Sequence, residues 1–215
     1  MNRSGLLIAF QDVAVLRDDV LMLDGASGAV APGEVLALRG ANGSGKTTLL
    51  RVIAGILQPT AGTVRVAGVA PDDRDPRFRR ALAALIGPPM TARDLTVAEH
   101  LQFIAATWGA SAAQSRQSAE ELLEELAISA FARRYPHELS SGQSQLVGLA
   151  LTLARPFEAL LLDEPEQRLD EDRLDLVIGA VRRRAEEGCA VMLATHSARL
   201  EEELASATLL LEGEL

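Results

Sequence analysis

Residues 40–47 read Gly40-Ala41-Asn42-Gly43-Ser44-Gly45-Lys46-Thr47, with Thr48 following. Every fixed position of the pattern G-x-x-x-x-G-K-[ST] is filled. Gly40, Gly43 and Gly45 let the backbone wrap closely, so that successive N–H groups point inward at an anion. A helix starting at Lys46 adds the positive end of its dipole. Lys46 is then placed to bridge β- and γ-phosphates, and the Thr47 hydroxyl to ligate Mg²⁺. A glycine-rich turn that merely joined a strand to a helix would need neither a lysine nor a hydroxyl there. The stretch therefore predicts a nucleotide-phosphate site and an α/β fold around it.

The flanks agree with that prediction. Pro32-Gly33 turns the chain into the apolar run 35–39, which reads as a buried strand. After the loop, Leu49, Leu50, Ile53 and Ile56 fall on one face at helical spacing, predicting a helix over 46–56 that ends at the turn signals of 58–62. Further out, residues 6–15 alternate as an edge strand and 20–30 return antiparallel to it. Strands follow at 63–66 and 82–86. Between 96 and 135, Leu101, Ile104 and Ala105 and then Leu122, Leu123 and Leu126 mark amphipathic helices separated by the polar segment 111–118. The last third alternates again: strand 160–162, helix 171–185, strand 190–194 and strand 208–211. The expected architecture is one α/β domain over 1–215 with a mostly parallel sheet, an antiparallel β edge and a helical subdomain inserted at about 96–140.

Composition narrows the class. The 215 residues are 48% hydrophobic and 24% charged, which is ordinary for a folded globular chain. A formal net charge of -9 argues against nucleic acid as a partner, since such binding draws on a basic surface. The arginine clusters 77–80 and 182–184 read as solvated helix faces. Cys189 is the one cysteine, so no internal disulfide can form and a reducing cytosol fits. The longest apolar stretch, 146–154, is too short to span a bilayer, and no signal peptide opens the chain.

A Mg²⁺ ion held by Thr47 needs a second protein oxygen, and the attacking water needs a base or an orienter. Ala159-Leu160-Leu161-Leu162-Asp163-Glu164 ends a buried strand with both. Asp163 is the expected metal ligand and Glu164 the expected polariser of water.

Just upstream of that strand, Leu139-Ser140-Ser141-Gly142-Gln143 resembles the LSGGQ signature of ATP-binding-cassette (ABC) ATPases, with Ser141 in place of one glycine. Leu169-Asp170 resembles the family's D-loop. His196, after the apolar run 191–194, would by itself read as a structural histidine, and it resembles the family's switch histidine. The motifs stand in the family's order over nearly the whole chain. The resemblance implies a P-loop NTPase core that binds ATP with Mg²⁺. It implies a head-to-tail homodimer or heterodimer with a second ABC ATPase subunit, in which Ser140, Ser141, Gly142 and Gln143 meet the γ-phosphate held by the other subunit. It also implies membrane-spanning permease subunits as partners, and hence a cytoplasmic chain lying peripherally on the inner face of the cell membrane. The helical subdomain is where the family receives the permease. The short chain looks most like ATPases of bacterial exporters for drugs, antibiotics or haem-related cargo.

Two departures stand out. Members usually carry a glutamine at the end of the strand here read as 82–86, where it helps to hold Mg²⁺, but this sequence has Gly87-Pro88-Pro89. The expectation is that water fills that metal position and that coupling to the permease is altered or slower. An adenine-stacking aromatic is also expected near the end of the first strand, where Leu16-Arg17 stands; Arg17 either stacks by its guanidinium plane or is a surface arginine. Two other readings stay open: a soluble ABC ATPase of DNA or ribosome maintenance, and a regulatory subunit that binds ATP and hydrolyses it weakly.

Overall fold

The run Val35–Arg39 is a strand whose first four residues are all buried, and the sheet around it is built from similar short apolar segments. The structure, a computed structural model, describes residues 5–212. The strands are β1 (Ile8–Arg17), β2 (Val20–Val30), β3 (Val35–Arg39), β4 (Ala61–Val66), β5 (Leu82–Leu85), β6 (Ala159–Asp163), β7 (Ala190–Ala194) and β8 (Ala207–Leu210). The helices are α1 (Lys46–Ile53), α2 (Pro76–Ala81), α3 (Val97–Thr107), α4 (Ala112–Glu125), α5 (Ser141–Leu153), α6 (Glu171–Glu186) and α7 (Ala198–Leu204). The chain divides into two compact units. One takes the residues up to Ile86, Phe157–Glu164 and those from Val181 on; the other takes Gly87–Pro156 and Pro165–Ala180.

The first unit holds both sheets. A five-stranded sheet runs in the order β5-β6-β7-β3-β8, and each of its pairings is parallel. β6 and β7 read as unbroken apolar runs because both of their faces are covered. A second sheet, β2-β1-β4, is antiparallel. Leu36, Leu38, Leu161 and Met192 from one face of the parallel sheet join Ile8, Val13, Val30 and Val66 of the antiparallel sheet, with Leu49, Leu50 and Ile53 of α1, in a single core. Burying each such side chain is worth about 1.5–3 kcal/mol, so α1 is held from both sides, and the loop that precedes it is held with it.

Several sequence expectations are corrected. β1 is not an edge strand: β4 comes back from α1 to pair on its free side, so β1 lies in the middle of its sheet. α1 stops at Ile53 rather than reaching 56. Gly55 takes φ +73°, the Ile56 N–H donates to Arg51 O at 2.9 Å and the Gly55 N–H to Val52 O at 3.0 Å, which is a Schellman ending. Ile56 is then 66% exposed.

The second unit is helical and wider than the 96–140 span expected for it. Its polar segment 111–118 does not separate helices, because it forms the first half of α4. Ser111 caps that helix by accepting from the Gln114 N–H, while the Gln114 side chain accepts from the Ser111 N–H. α3 begins the same way on Thr96 and Glu99. The unforeseen α2 is capped by the Asp75 side chain with Pro76 at its first position.

Candidate nucleotide site

Parallel strands leave a sheet in one direction, so the loops after β3, β6 and β7 emerge at the same edge. The register is tight: Leu38 and Asp163 both stand opposite Ala194. That edge therefore carries the 40–47 loop, the acids Asp163 and Glu164, and His196 after Thr195.

The loop is close to its neighbours. Gly45 has φ +90°, and a Cβ on it would lie 2.7 Å from Met22 O, so no other residue fits without moving β2. Ala41, Asn42 and Gly43 are exposed, whereas Ser44, Lys46 and Thr48 are buried. Lys46 Nζ donates to the carbonyls of Gly40 at 2.8 Å and Ala41 at 2.9 Å. A buried ammonium satisfied only by neutral carbonyls is ready to exchange them for anionic oxygens, which bind it more strongly. The Ser44 Oγ is buried in the same loop without a hydrogen-bond partner among the described residues, which is a cost that an oxyanion would remove.

Thr47 Oγ1 donates to the Asp163 carboxylate, at 2.9 Å to Oδ2 and 3.1 Å to Oδ1. Burial pushes the Asp163 carboxyl above its ordinary value, with the Thr47 hydrogen bond and the nearby Arg51 and Lys46 pulling it down and Glu164 pushing it up. A hydroxyl and a carboxylate together form an all-oxygen donor set that suits Mg²⁺. Glu164 takes φ +48°, rare for a residue with a side chain. It is fixed there by its N–H donating to Ala194 O at 2.9 Å. Its Oε1 lies 3.5 Å from His196 Nε2. His196 is held between Thr195, which is fully buried, and Ser197, whose hydroxyl caps α7.

In the helical unit, Ser140 caps α5. Its Oγ accepts from the Gln143 N–H at 3.3 Å, and Gln143 Oε1 accepts from the Ser140 N–H at 3.0 Å. Ser141 is exposed and Gly142 buried. A Cβ on Gly142 would stand 2.7 Å from Arg168 O. This explains which glycine of the signature was replaceable: Ser141 points to open surface, and Gly142 has backbone against it. Asp170 caps α6, accepting from the Arg173 N–H at 3.0 Å and pairing with its guanidinium at 3.0 Å.

Arg17 is exposed at the end of β1, opposite Val20 and beside the turn at Asp18 and Asp19, and its side chain makes no hydrogen bond or ion pair among the described residues. Around it Leu16, Val20, Leu21 and Met22 are exposed, an aliphatic surface. Gly87 takes φ +75°, so a glutamine introduced there would be strained as well as new.

A parallel sheet with a glycine-rich phosphate loop and an acidic strand at its edge defines the class: a P-loop nucleotide-binding protein. The ABC transporter family model matches residues 23–167, and this chain belongs to that family. It is 40% identical over 190 residues to the lipoprotein-releasing system ATP-binding protein of Maricaulis maris, covering 83% of this chain and 81% of that protein. It is 36% identical over 206 residues to a putative ABC transporter ATP-binding protein of Streptomyces coelicolor, covering 95% of this chain but 36% of that protein. The chain thus spans about a third of the latter's length. Among solved structures, an ATP-binding subunit of an ABC transporter superposes with a TM-score of 0.87 at 25% identity, covering 95% of this chain and 85% of that one. Among the described residues, no helix is long and apolar enough to cross a membrane.

Proposed function

We propose that this chain binds Mg²⁺-ATP and hydrolyses it at a head-to-tail interface with a second ATPase subunit, driving transport through separate membrane-spanning permeases. The observation that carries the reading is the Thr47–Asp163 pairing beside a buried Lys46 that only carbonyls satisfy. Lys46 exchanges those carbonyls for β- and γ-phosphate oxygens, and the loop N–H groups and the Ser44 hydroxyl take the remaining ones. Thr47 and Asp163 hold Mg²⁺, which when bound neutralises charge on the phosphates. Glu164 orients the attacking water and accepts its proton, and His196 Nε2 lies 3.5 Å from that carboxylate.

Half of the site is supplied in trans. The Ser140 Oγ accepts from Gln143 N–H, which leaves its own proton to donate to the γ-phosphate of a second subunit, together with the N–H groups that open α5. Asp170 sits at the same end of the helical unit, paired with Arg173. One nucleotide-binding domain over 1–215 with the helical part facing the permease, peripheral on the inner face of the cell membrane, fits this reading. The exporter type, with drug, antibiotic or haem-related cargo, rests on the sequence resemblance, and the membrane protein that co-purifies with the chain decides it.

Steady-state phosphate release tests hydrolysis. The unaltered protein should turn over ATP, Glu164→Gln should lower kcat by at least about 100-fold as expected for loss of a general base, and Lys46→Ala should abolish nucleotide binding. Equal rates for the unaltered protein and Glu164→Gln would refute the assignment.

A further inference from the structure

β5 leaves the sheet one position past the Leu85–Leu162 pair, level with Asp163. The next ten residues carry the chain from that edge to α3 without regular structure. Little in this connection can anchor itself. Pro88 and Pro89 have no N–H to donate, Gly87 has no side chain, and Met90 is 97% exposed. The fixed point lies on α3. The Ala92 N–H donates to His100 Nε2 at 2.9 Å, and His100 Nδ1 stands 2.8 Å from Thr96 O. The ring is 7% exposed.

These two partners settle the state of the ring. An amide N–H can only donate, so Nε2 presents its lone pair. A carbonyl oxygen can only accept, so Nδ1 carries the proton. These bonds hold the His100 ring in one tautomer. Its second bond ties it to the residue that caps its own helix, and the Thr96 cap is itself locked by Glu99, whose carboxylate accepts from the Thr96 N–H at 2.7 Å. Cap, ring and connection thus form one hydrogen-bonded unit.

We propose that His100 is a positioning residue: as the Nδ1–H tautomer it latches Ala92 to α3 and so fixes the course of the segment leaving the Asp163 edge. The effect on turnover rests on the hydrolysis reading above; the latch does not.

Three measurements test it. Long-range ¹⁵N–¹H spectra of the intact protein should show a protonated Nδ1 and an unprotonated Nε2 for His100; a protonated Nε2 would overturn the proposal. His100→Phe, which keeps the ring's bulk and loses both bonds, should speed amide exchange at Ala92 by about tenfold, and unchanged exchange there would overturn it too. In turnover His100→Phe should lower kcat several-fold with KM for ATP held within about twofold. His100→Gln, which offers an acceptor and a donor on one side chain, should restore both exchange and kcat. A raised exchange rate with kcat unchanged would refute the positioning role. Absence of turnover in the unaltered protein would instead defeat the hydrolysis reading, while the spectra and the exchange rates still decide the latch.

Discussion

Replacing Gly142 with alanine puts a Cβ 2.7 Å from the Arg168 carbonyl oxygen, where ordinary contact begins near 3.4 Å. The obstacle is backbone, and Arg168 already sits at φ +66°, so the start of α5 or the strained segment facing it has to move by about 0.7 Å, the scale of a core overpacking. Such overpacking costs about 1–3 kcal/mol, and an alanine in place of a helical glycine returns roughly 0.5–1 kcal/mol. The net loss is then up to about 2.5 kcal/mol, or a melting temperature lower by up to roughly 10 °C for a chain of this size. Trp108 reports on it: it is the one tryptophan, it belongs to the same helical unit, and the Arg155 guanidinium lies 4.4 Å from its ring centroid. Thermal unfolding followed by its fluorescence gives the shift. Ser141→Gly is the control, since Ser141 is exposed, and should move the midpoint by less than about 2 °C. If Gly142→Ala melts at or above the unaltered protein, the close approach does not constrain the signature and the explanation for Ser141 fails.

Two further outcomes follow from buried titratable groups. Burial pushes the Cys189 thiol up to about 12, so above about pH 8.5 the unfolded chain ionises this group and the folded one does not. Stability contributed by Cys189 relative to Cys189→Ala should therefore fall by about 1.4 kcal/mol per pH unit above that point; urea unfolding at pH 8 and pH 10 checks this, and a pH-independent difference would contradict it. Burial likewise raises Asp163 in the ligand-free chain. An acid whose folded value lies above its unfolded value loses stability as pH rises through that window. Asp163→Asn should therefore melt higher than the unaltered protein at pH 7 and lose that advantage in acid, while Mg²⁺-dependent nucleotide binding disappears. A lower melting temperature at pH 7 would refute the burial cost assigned to Asp163.

The phosphate loop and the acidic strand were legible because their chemistry is local. A loop that wraps phosphate needs glycines within a few residues of a lysine and a hydroxyl, and a buried parallel strand shows as an apolar run such as Ala159–Asp163. The order of strands was not legible, since β1 pairs with β4 across 47 or more residues and nothing in the alternation of 6–15 says how many neighbours that strand has. Periodicity also misread the ends of helices. Ile56 keeps the spacing of Leu49 and Ile53, but Gly55 in a left-handed conformation takes it off the helix. In 111–118 the apolar signal is weak, and the clue lay in the capping pattern Ser111-x-x-Gln114 instead. The approach of Arg168 to Gly142 and the bond from Ala92 to His100 depend on where a loop folds back. Sequence spacing carries no trace of the first, and the second is carried by a histidine that reads like any core residue.

Under the proposed function this chain holds half of an ATP site, and ATP joins two such halves. Sedimentation of Glu164→Gln with and without Mg²⁺-ATP tests it most directly, because hydrolysis is blocked while Lys46, Thr47, Asp163 and Ser140 remain. The expected result is a monomer without nucleotide, a dimer at saturating ATP, and no dimer when Ser140→Arg is added to the same background. A chain that binds ATP to saturation and still sediments as a monomer would contradict it.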